Sequence, residues 1–593
     1  MPEPRADAIS GLAVERWPVL FGDAPRRCTG WLHGAPAELG VVLCAPLGAE
    51  EQSAHRSVLH LADGLAQRGM RALRFDYPGC GDSEGETVDC TSLQDWVDSV
   101  VAAVAWLREV GCTRIALLGL RLGAMVAGMA CARARPDWLV LWAPVTDGRR
   151  YARELRAMAA LGAGAQPDGA WLEVAGHALS RGFVDSVADL DALDWPLAGL
   201  RSALLVARDD TAPDLKLRDA LQGAGVQFEQ RSFAGAAAMF DEPHRAIVPE
   251  AALGTLCDWL AARTPKTLDA APASHVPEEG KAALDGPALR SEHYVERVVR
   301  LGHAQRVVGV LCTAATPPAG EAAALMVLLN AGSVHHIGPG RLYVRLARLL
   351  AGHGVPSLRI DLPMLGDSLV PGMPGENDCY DDGVVEQVLD LLDDVESRLG
   401  LRRQHIAGLC SGAYWALQVA MHPRCRSIEA VAMINPLVVH WGGPSRPTLG
   451  RSVAETLRYR KAALQWASWK KLLALRVDWR GMLGALWRHG ATSSASTLRG
   501  LAQRLGLLRA NAVGQGLRRL RRQGVVLGLF VSDGDPGLSL LRQAAPVETS
   551  VGLRVGAIEL FRQAGADHTF TAEFAKQSLF ESLRTFVMRA RTL

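Results

Sequence analysis

The chain has 593 residues, 49% of them hydrophobic and 21% charged, with a formal net charge of +2. That length exceeds one hydrophobic core and calls for about two to four domains. No run reaches the roughly 18–20 apolar residues needed to cross a bilayer, and the start, MPEPRADAISGLAVERW, lacks the apolar stretch of a secretory leader. The eleven cysteines are an odd number, without C-x-x-C pairs or metal-ligand spacing. That pattern indicates reduced cytoplasmic thiols, with no disulfide framework and no metal site. Arginine far outnumbers lysine, and alanine and glycine are abundant, a composition associated with GC-rich bacterial genomes.

The first half runs in order through GVVLCAPLGAEEQSAHR (40–56), MRALRFDYPGCGDSEG (70–85), IALLGLRLGAMVAGMA (115–130), LVLWAPV (139–145) and ALLVARDDTAP (203–213). The second half repeats that order in ALMVLLNAGSVHHIGPGR (324–341), VPSLRIDLPMLGDSLV (355–370), HIAGLCSGAYWALQVA (405–420), VAMINPL (431–437) and LGLFVSDGDPG (527–537). Short β-branched or leucine-rich runs alternate with amphipathic helices, the pattern of a parallel sheet covered on both faces. SLQDWVDSVVAAVAWLREVG (92–111) is one such helix, stopped by Gly111, and YDDGVVEQVLDLLDDVESRLG (380–400) is its counterpart. Residues 264–293 are rich in Pro, Ala and charge, lack periodicity, and form the expected linker between domains 1–263 and 294–593.

In both halves an apolar strand runs into a glycine-flanked turn and then a small-residue helix. The turns are GLRLGA (119–124) and GLCSGA (408–413), each with the spacing of a nucleophile elbow, G-x-Nuc-x-G. The second places Cys410 at the nucleophile position. Ser411, one place later, would put Leu409 where a small residue is needed. FVSDGDPG (530–537) offers Asp533 or Asp535, and an acid followed directly by Pro favours Asp535. AGADHTF (564–570) offers His568. The first half has Arg121 at the elbow, Asp209 or Asp210 as the acid, and Ala238 in AGAAAMF (234–240) where His568 would stand. His244, six residues on, substitutes only if its loop rearranges.

With these motifs in order, and twice, the chain resembles two tandem α/β-hydrolase domains, each a mostly parallel sheet flanked by helices. The first half also resembles hydrolase-like proteins associated with exosortase and exopolysaccharide systems. A cysteine at this elbow resembles dienelactone hydrolases and polyester synthases. The resemblance implies a Cys410–His568–Asp535 triad acting on an acyl ester, lactone or thioester by hydrolysis or acyl transfer. It implies an oxyanion hole from the N–H of Ser411 and of the NAGSV loop (Gly332, Ser333), and no cofactor. The alternative from another class is a binding or scaffold protein without catalysis. His335 and His336, in the oxyanion loop, are expected to be solvated. Arg121 marks either a silent domain or an anion site, and a buried guanidinium requires an acidic partner, for which Asp210 is the candidate.

Residues 441–522 form the expected helical cap of the second domain. They hold seventeen Arg and Lys against two acids, Glu455 and Asp478, a formal +15, and five tryptophans: Trp441, Trp466, Trp469, Trp479 and Trp487. Such a segment repels itself without a negative neighbour. The neighbours considered are the acidic remainder of the chain, an acyl carrier protein, CoA phosphates, and anionic glycan or lipid head groups. No nucleic-acid-binding motif is present.

Overall fold

The computed structural model describes residues 14–162, 169–207, 209, 215–263, 286–316, 324–381, 383–440 and 511–590. The chain divides into two units, Met1–Leu289 and Arg290–Leu593. In the first, eight strands lie side by side in the order Arg16–Phe21, Cys28–His33, Arg71–Phe75, Leu39–Cys44, Arg114–Leu120, Trp138–Trp142, Ser202–Ala207 and Gln227–Ser232. The first two pairings are antiparallel and the rest parallel. In the second unit the order is Tyr294–Leu301, Val307–Ala314, Ser357–Ile360, Leu325–Leu329, Gln404–Leu409, Ile428–Ile434, Val526–Ser532 and Ile558–Gln563, with the same directions. In each sheet the strand nearer the N-terminus of the central pair lies next to the elbow strand. The repeat in sequence is therefore a repeat in topology.

The central parallel strands are buried along almost their whole length, as continuous apolar runs covered on both faces require. The expected helices are present at Gln94–Glu109 and Val384–Leu399, the latter closed by the left-handed Gly400. Two expected boundaries move. Ala288–Arg290, inside the expected linker, is a short strand added to the edge of the second sheet. Ala512–Arg522, inside the expected cap, is instead a helix of the core layer. It buries Val513, Leu517 and Leu520 and turns its arginines outward, because its apolar residues share one face. The rest of the cap, with its five tryptophans, lies outside the described residues, as do residues 264–285 of the linker.

The two D-x-x-x-x-G-D-S segments build the same clasp. Asp76 accepts the N–H of Asp82, and the Ser83 hydroxyl donates to the Asp76 carbonyl. Asp361 accepts the N–H of Asp367, and the Ser368 hydroxyl donates to the Asp361 carbonyl. Gly81 and Gly366 have φ of 46° and 47°, and a Cβ on either would lie 2.1 or 2.3 Å from the aspartate carboxyl. The motif's acids therefore hold the turn after a central strand in both units.

One buried layer is reversed between the repeats. In the first unit Asp63, on the helix Ala49–Ala66, accepts from Arg16 and from His33 Nδ1 on the outer strands. In the second the helix residue at the corresponding place is Arg348, which donates to Glu296 on the outer strand. Glu296 pairs with Cys312 in the sheet as Arg16 pairs with His33. The helix carries the acid in one repeat and the base in the other.

Candidate active site

Cys410 follows the strand Gln404–Leu409 and caps the helix Ser411–Met421, with φ 59° and ψ −111°. Arg121 sits between Arg114–Leu120 and Leu122–Ala134 with φ 53° and ψ −118°. Left-handed φ at a non-glycine residue costs about 1–3 kcal/mol and persists where the surroundings impose it. Here the flanking glycines allow it. A Cβ on Gly408 would lie 2.3 Å from the Gly412 backbone, and one on Gly412 would lie 2.6 Å from the Asn330 carbonyl oxygen. Gly119 and Gly123 are equally closed in by backbone. The N–H of Cys410 donates to Ile434 and that of Arg121 to Trp142, each at 3.0 Å. Both turns are real elbows with the same backbone.

Around Cys410 the structure brings together the residues the sequence singles out. His568 Nδ1 faces Asp535 Oδ2 at 3.3 Å. Asp535 is almost completely buried, and its other oxygen accepts the Gly537 N–H at 2.9 Å. Nε2 of His568 is buried and makes no fully formed hydrogen bond among the described residues; the thiol it interacts with is that of Cys410. Loose contacts of this kind are common in unliganded sites. Burial disfavours the charged ring, but the hydrogen bond to Asp535, the nearby Cys410 side chain and the charges of both outweigh it and push His568 up to about 10.

Asp533 is used differently. Its carboxylate accepts the N–H of Gly565 at 2.7 Å. Asp209 accepts the N–H of Gly235 in the same way at 2.5 Å. These bonds fix the correspondence of the halves: His568 lies three residues past Gly565, and Ala238 three past Gly235. Continued without a gap, the match sets Thr211 in sequence against Asp535, while Asp210 and Thr211 lie outside the described residues. His244 is exposed, faces Glu242 at 3.6 Å, and supplies no base to this elbow.

On the oxyanion side, Ser411 is buried in the first helical turn and its hydroxyl accepts the Gly332 N–H at 2.9 Å. The Ser411 N–H belongs to the first turn, whose amides lack intrahelical acceptors. The Ser333 hydroxyl is turned to the Asn377 carbonyl at 3.4 Å. His335 and His336, expected in solvent, are both buried. His336 donates through Nδ1 to the buried Asp361 at 2.7 Å and so belongs to the clasp. Among the described residues the acidic partner of Arg121 is Glu50: its Nε lies 2.8 Å from Glu50 Oε1, and a terminal nitrogen donates to the Ala143 carbonyl at 3.2 Å, while the expected partner Asp210 lies outside the described residues. Glu50 supplies the compensating charge that a half-buried guanidinium needs.

Two supports of the second elbow escaped the sequence reading. The buried Tyr343 hydroxyl accepts the N–H of Leu409, the residue before Cys410, at 2.9 Å. Asn435, fully buried at the end of the strand Ile428–Ile434, donates to the His568 carbonyl at 2.7 Å and accepts the Ser532 N–H at 2.8 Å. A signal for the second was available: VAMINPL has Asn where LVLWAPV has Ala143.

Eight strands in this order, with a strained elbow after a central strand, define the α/β-hydrolase fold in both units, and the second has acid and histidine loops after its later strands. The family model for serine aminopeptidase S33, Hydrolase_4, matches residues 40–188; fold and match together support an α/β-hydrolase enzyme. The match lies in the unit whose elbow carries Arg121. No curated protein matches the chain. Among solved structures, the chain is similar to Est1E from Butyrivibrio proteoclasticus with ferulic acid bound, at 19% identity over 41% of this chain and 99% of that one, TM-score 0.33. It is also similar to the Pyrococcus furiosus esterase PF2001, at 16% identity over 42% and 92%, TM-score 0.32. A third is XC6422 from Xanthomonas campestris, at 17% identity over 43% and 97%, TM-score 0.28.

Proposed function

We propose that the second unit is a cysteine-dependent acyl hydrolase or acyltransferase and that the first is its catalytically silent twin. The observation that carries this is Cys410 on a strained elbow, with the His568 ring near it facing the buried Asp535 carboxylate. In the reaction His568, raised to about 10, holds the thiol proton, and the Cys410 thiolate attacks the acyl carbon. Asp535 holds the ring and stabilises its charge. The tetrahedral oxyanion takes the N–H of Ser411 and, as the Ser411 hydroxyl turns away, that of Gly332. The leaving group departs with the proton from His568, and a thioester on Cys410 remains. Water or another acceptor then gives its proton to His568, attacks the thioester, and frees the thiol.

Both outcomes share the thioester, and the acceptor decides between hydrolysis and transfer. The substrate is an ester, lactone or thioester, and the basic segment 441–522 is where an acyl carrier protein or CoA phosphates would dock. In the first unit Arg121 and Ala238 remove nucleophile and base, and Glu50 neutralises the arginine. A thiol-directed acyl probe with peptide mapping tests the assignment. Cys410 should label, and His568→Ala should slow labelling at pH 7 by about 10²–10⁴. Equal labelling rates in the parent and H568A would remove the general base.

A further inference from the structure

We infer that Asn435 is a positioning residue that sets His568 and Asp535 relative to Cys410; this rests on the reading of Cys410 as the nucleophile. Asn435 stands at the end of the strand next to the elbow strand, with φ 43°. Asparagine tolerates this left-handed conformation better than most residues. Its side chain is completely buried and both ends are used. The amide nitrogen donates to the His568 carbonyl, and the amide oxygen accepts from Ser532, the last residue of the strand leading to Asp535. Its own N–H donates to the Phe530 carbonyl at 2.9 Å. One side chain thus ties the histidine loop to the acid loop beside the elbow.

The first unit supplies the comparison. Ala143 stands at the corresponding strand end, with φ 47° and its N–H donated to Val206 at 2.8 Å. The backbone is the same and the amide is gone. The strand end therefore folds without Asn, even though alanine is disfavoured at that φ. What the first unit lacks along with the amide is the histidine, replaced by Ala238, and the nucleophile, replaced by Arg121. A residue needed only to build the turn would be needed in both units. A residue needed to place a histidine loop is needed where there is a histidine to place.

The test is the rate of Cys410 alkylation by iodoacetamide across pH 5.5–10 (an experimental range of about that width, spanning the ordinary histidine and thiol values), read by peptide mass spectrometry on the full chain. In the parent, assistance by His568 gives a labelling limb near neutral pH that His568→Ala removes. Asn435→Ala is expected to fold, since Ala143 occupies the same conformation. It should lose on the order of tenfold or more of the neutral-pH rate, as displaced catalytic groups do, while converging with the parent at high pH, where the thiolate forms unaided. Asn435→Asp keeps the acceptor for Ser532 but loses the donor to His568, and the same loss is expected there. If N435A does not fold, N435D decides the matter. Profiles of N435A or N435D that superimpose on the parent would overturn the inference alone. A parent whose Cys410 never labels would overturn the nucleophile reading and this inference with it.

Discussion

At the residue scale, three histidines are held away from their ordinary value, in opposite directions. Burial is the main cause that lowers His33 to about 4, with the Arg74 charge adding to it against the Asp63 hydrogen bond. The ring is neutral: Nδ1–H donates to Asp63, and Nε2 accepts from Arg74 at 2.8 Å. Burial also lowers His405 to about 4, and among the described residues neither of its ring nitrogens has a hydrogen-bond partner. For both, the unfolded chain takes up a proton near pH 6.5 that the folded protein refuses until about pH 4. Stability is therefore lost as pH falls through that window. His568, raised to about 10, runs the other way: its contribution is full below about pH 6.5 and is lost as pH rises toward 10. Melting temperature should fall from neutral pH toward about pH 4, the lower end of that window; a flat profile would contradict the assignment of His33 and His405. The residues proposed as nucleophile, acid and base were legible as candidates because each sits in a short motif at a strand end. Asn435, Tyr343 and Glu50 were not, because their partners lie 97 and 133 residues, 66 residues and 71 residues away in sequence.

At the element scale, alternating apolar runs and amphipathic helices were enough to place the strands and the repeat. The reversed ion pairs were not legible, since they depend on which strand lies against which helix. The Glu296 carboxylate serves both Arg348 and Arg359, the latter at 2.6 Å, and all three are buried. Glu296→Gln removes the carboxylate that both buried guanidinium groups face. It should cost about 3–5 kcal/mol, read as a lower denaturation midpoint with Cys410 labelling retained in the folded fraction. A shift below about 1 kcal/mol, the range of exposed pairs, would show that other acceptors take over. The helix Ala512–Arg522 shows the limit of charge counting: its arginines placed it in the cap, while its three inward apolar residues place it in the core layer.

At the scale of the whole molecule, one architecture occurs twice, and the proposed chemistry is assigned to one copy. The first unit retains the strand order, the glycine clasp and a strained elbow, so those features belong to folding. The second alone adds Cys410, His568 and Asn435, the residues to which the proposed reaction is assigned. Arg121→Met should leave Glu50 without its cation and lower stability by about 1–3 kcal/mol, while the Cys410 labelling rate stays at the parent value. A matching loss of labelling would contradict the silent role given to the first unit. The central claim is tested most directly by incubating the full chain with an activated aryl acetate and weighing the intact protein and its peptides. The account predicts a single acetyl group, on Cys410, absent in Cys410→Ala and slow to form in His568→Ala. An acetyl group that persists in C410A, or a chain that never acetylates at Cys410, would contradict it.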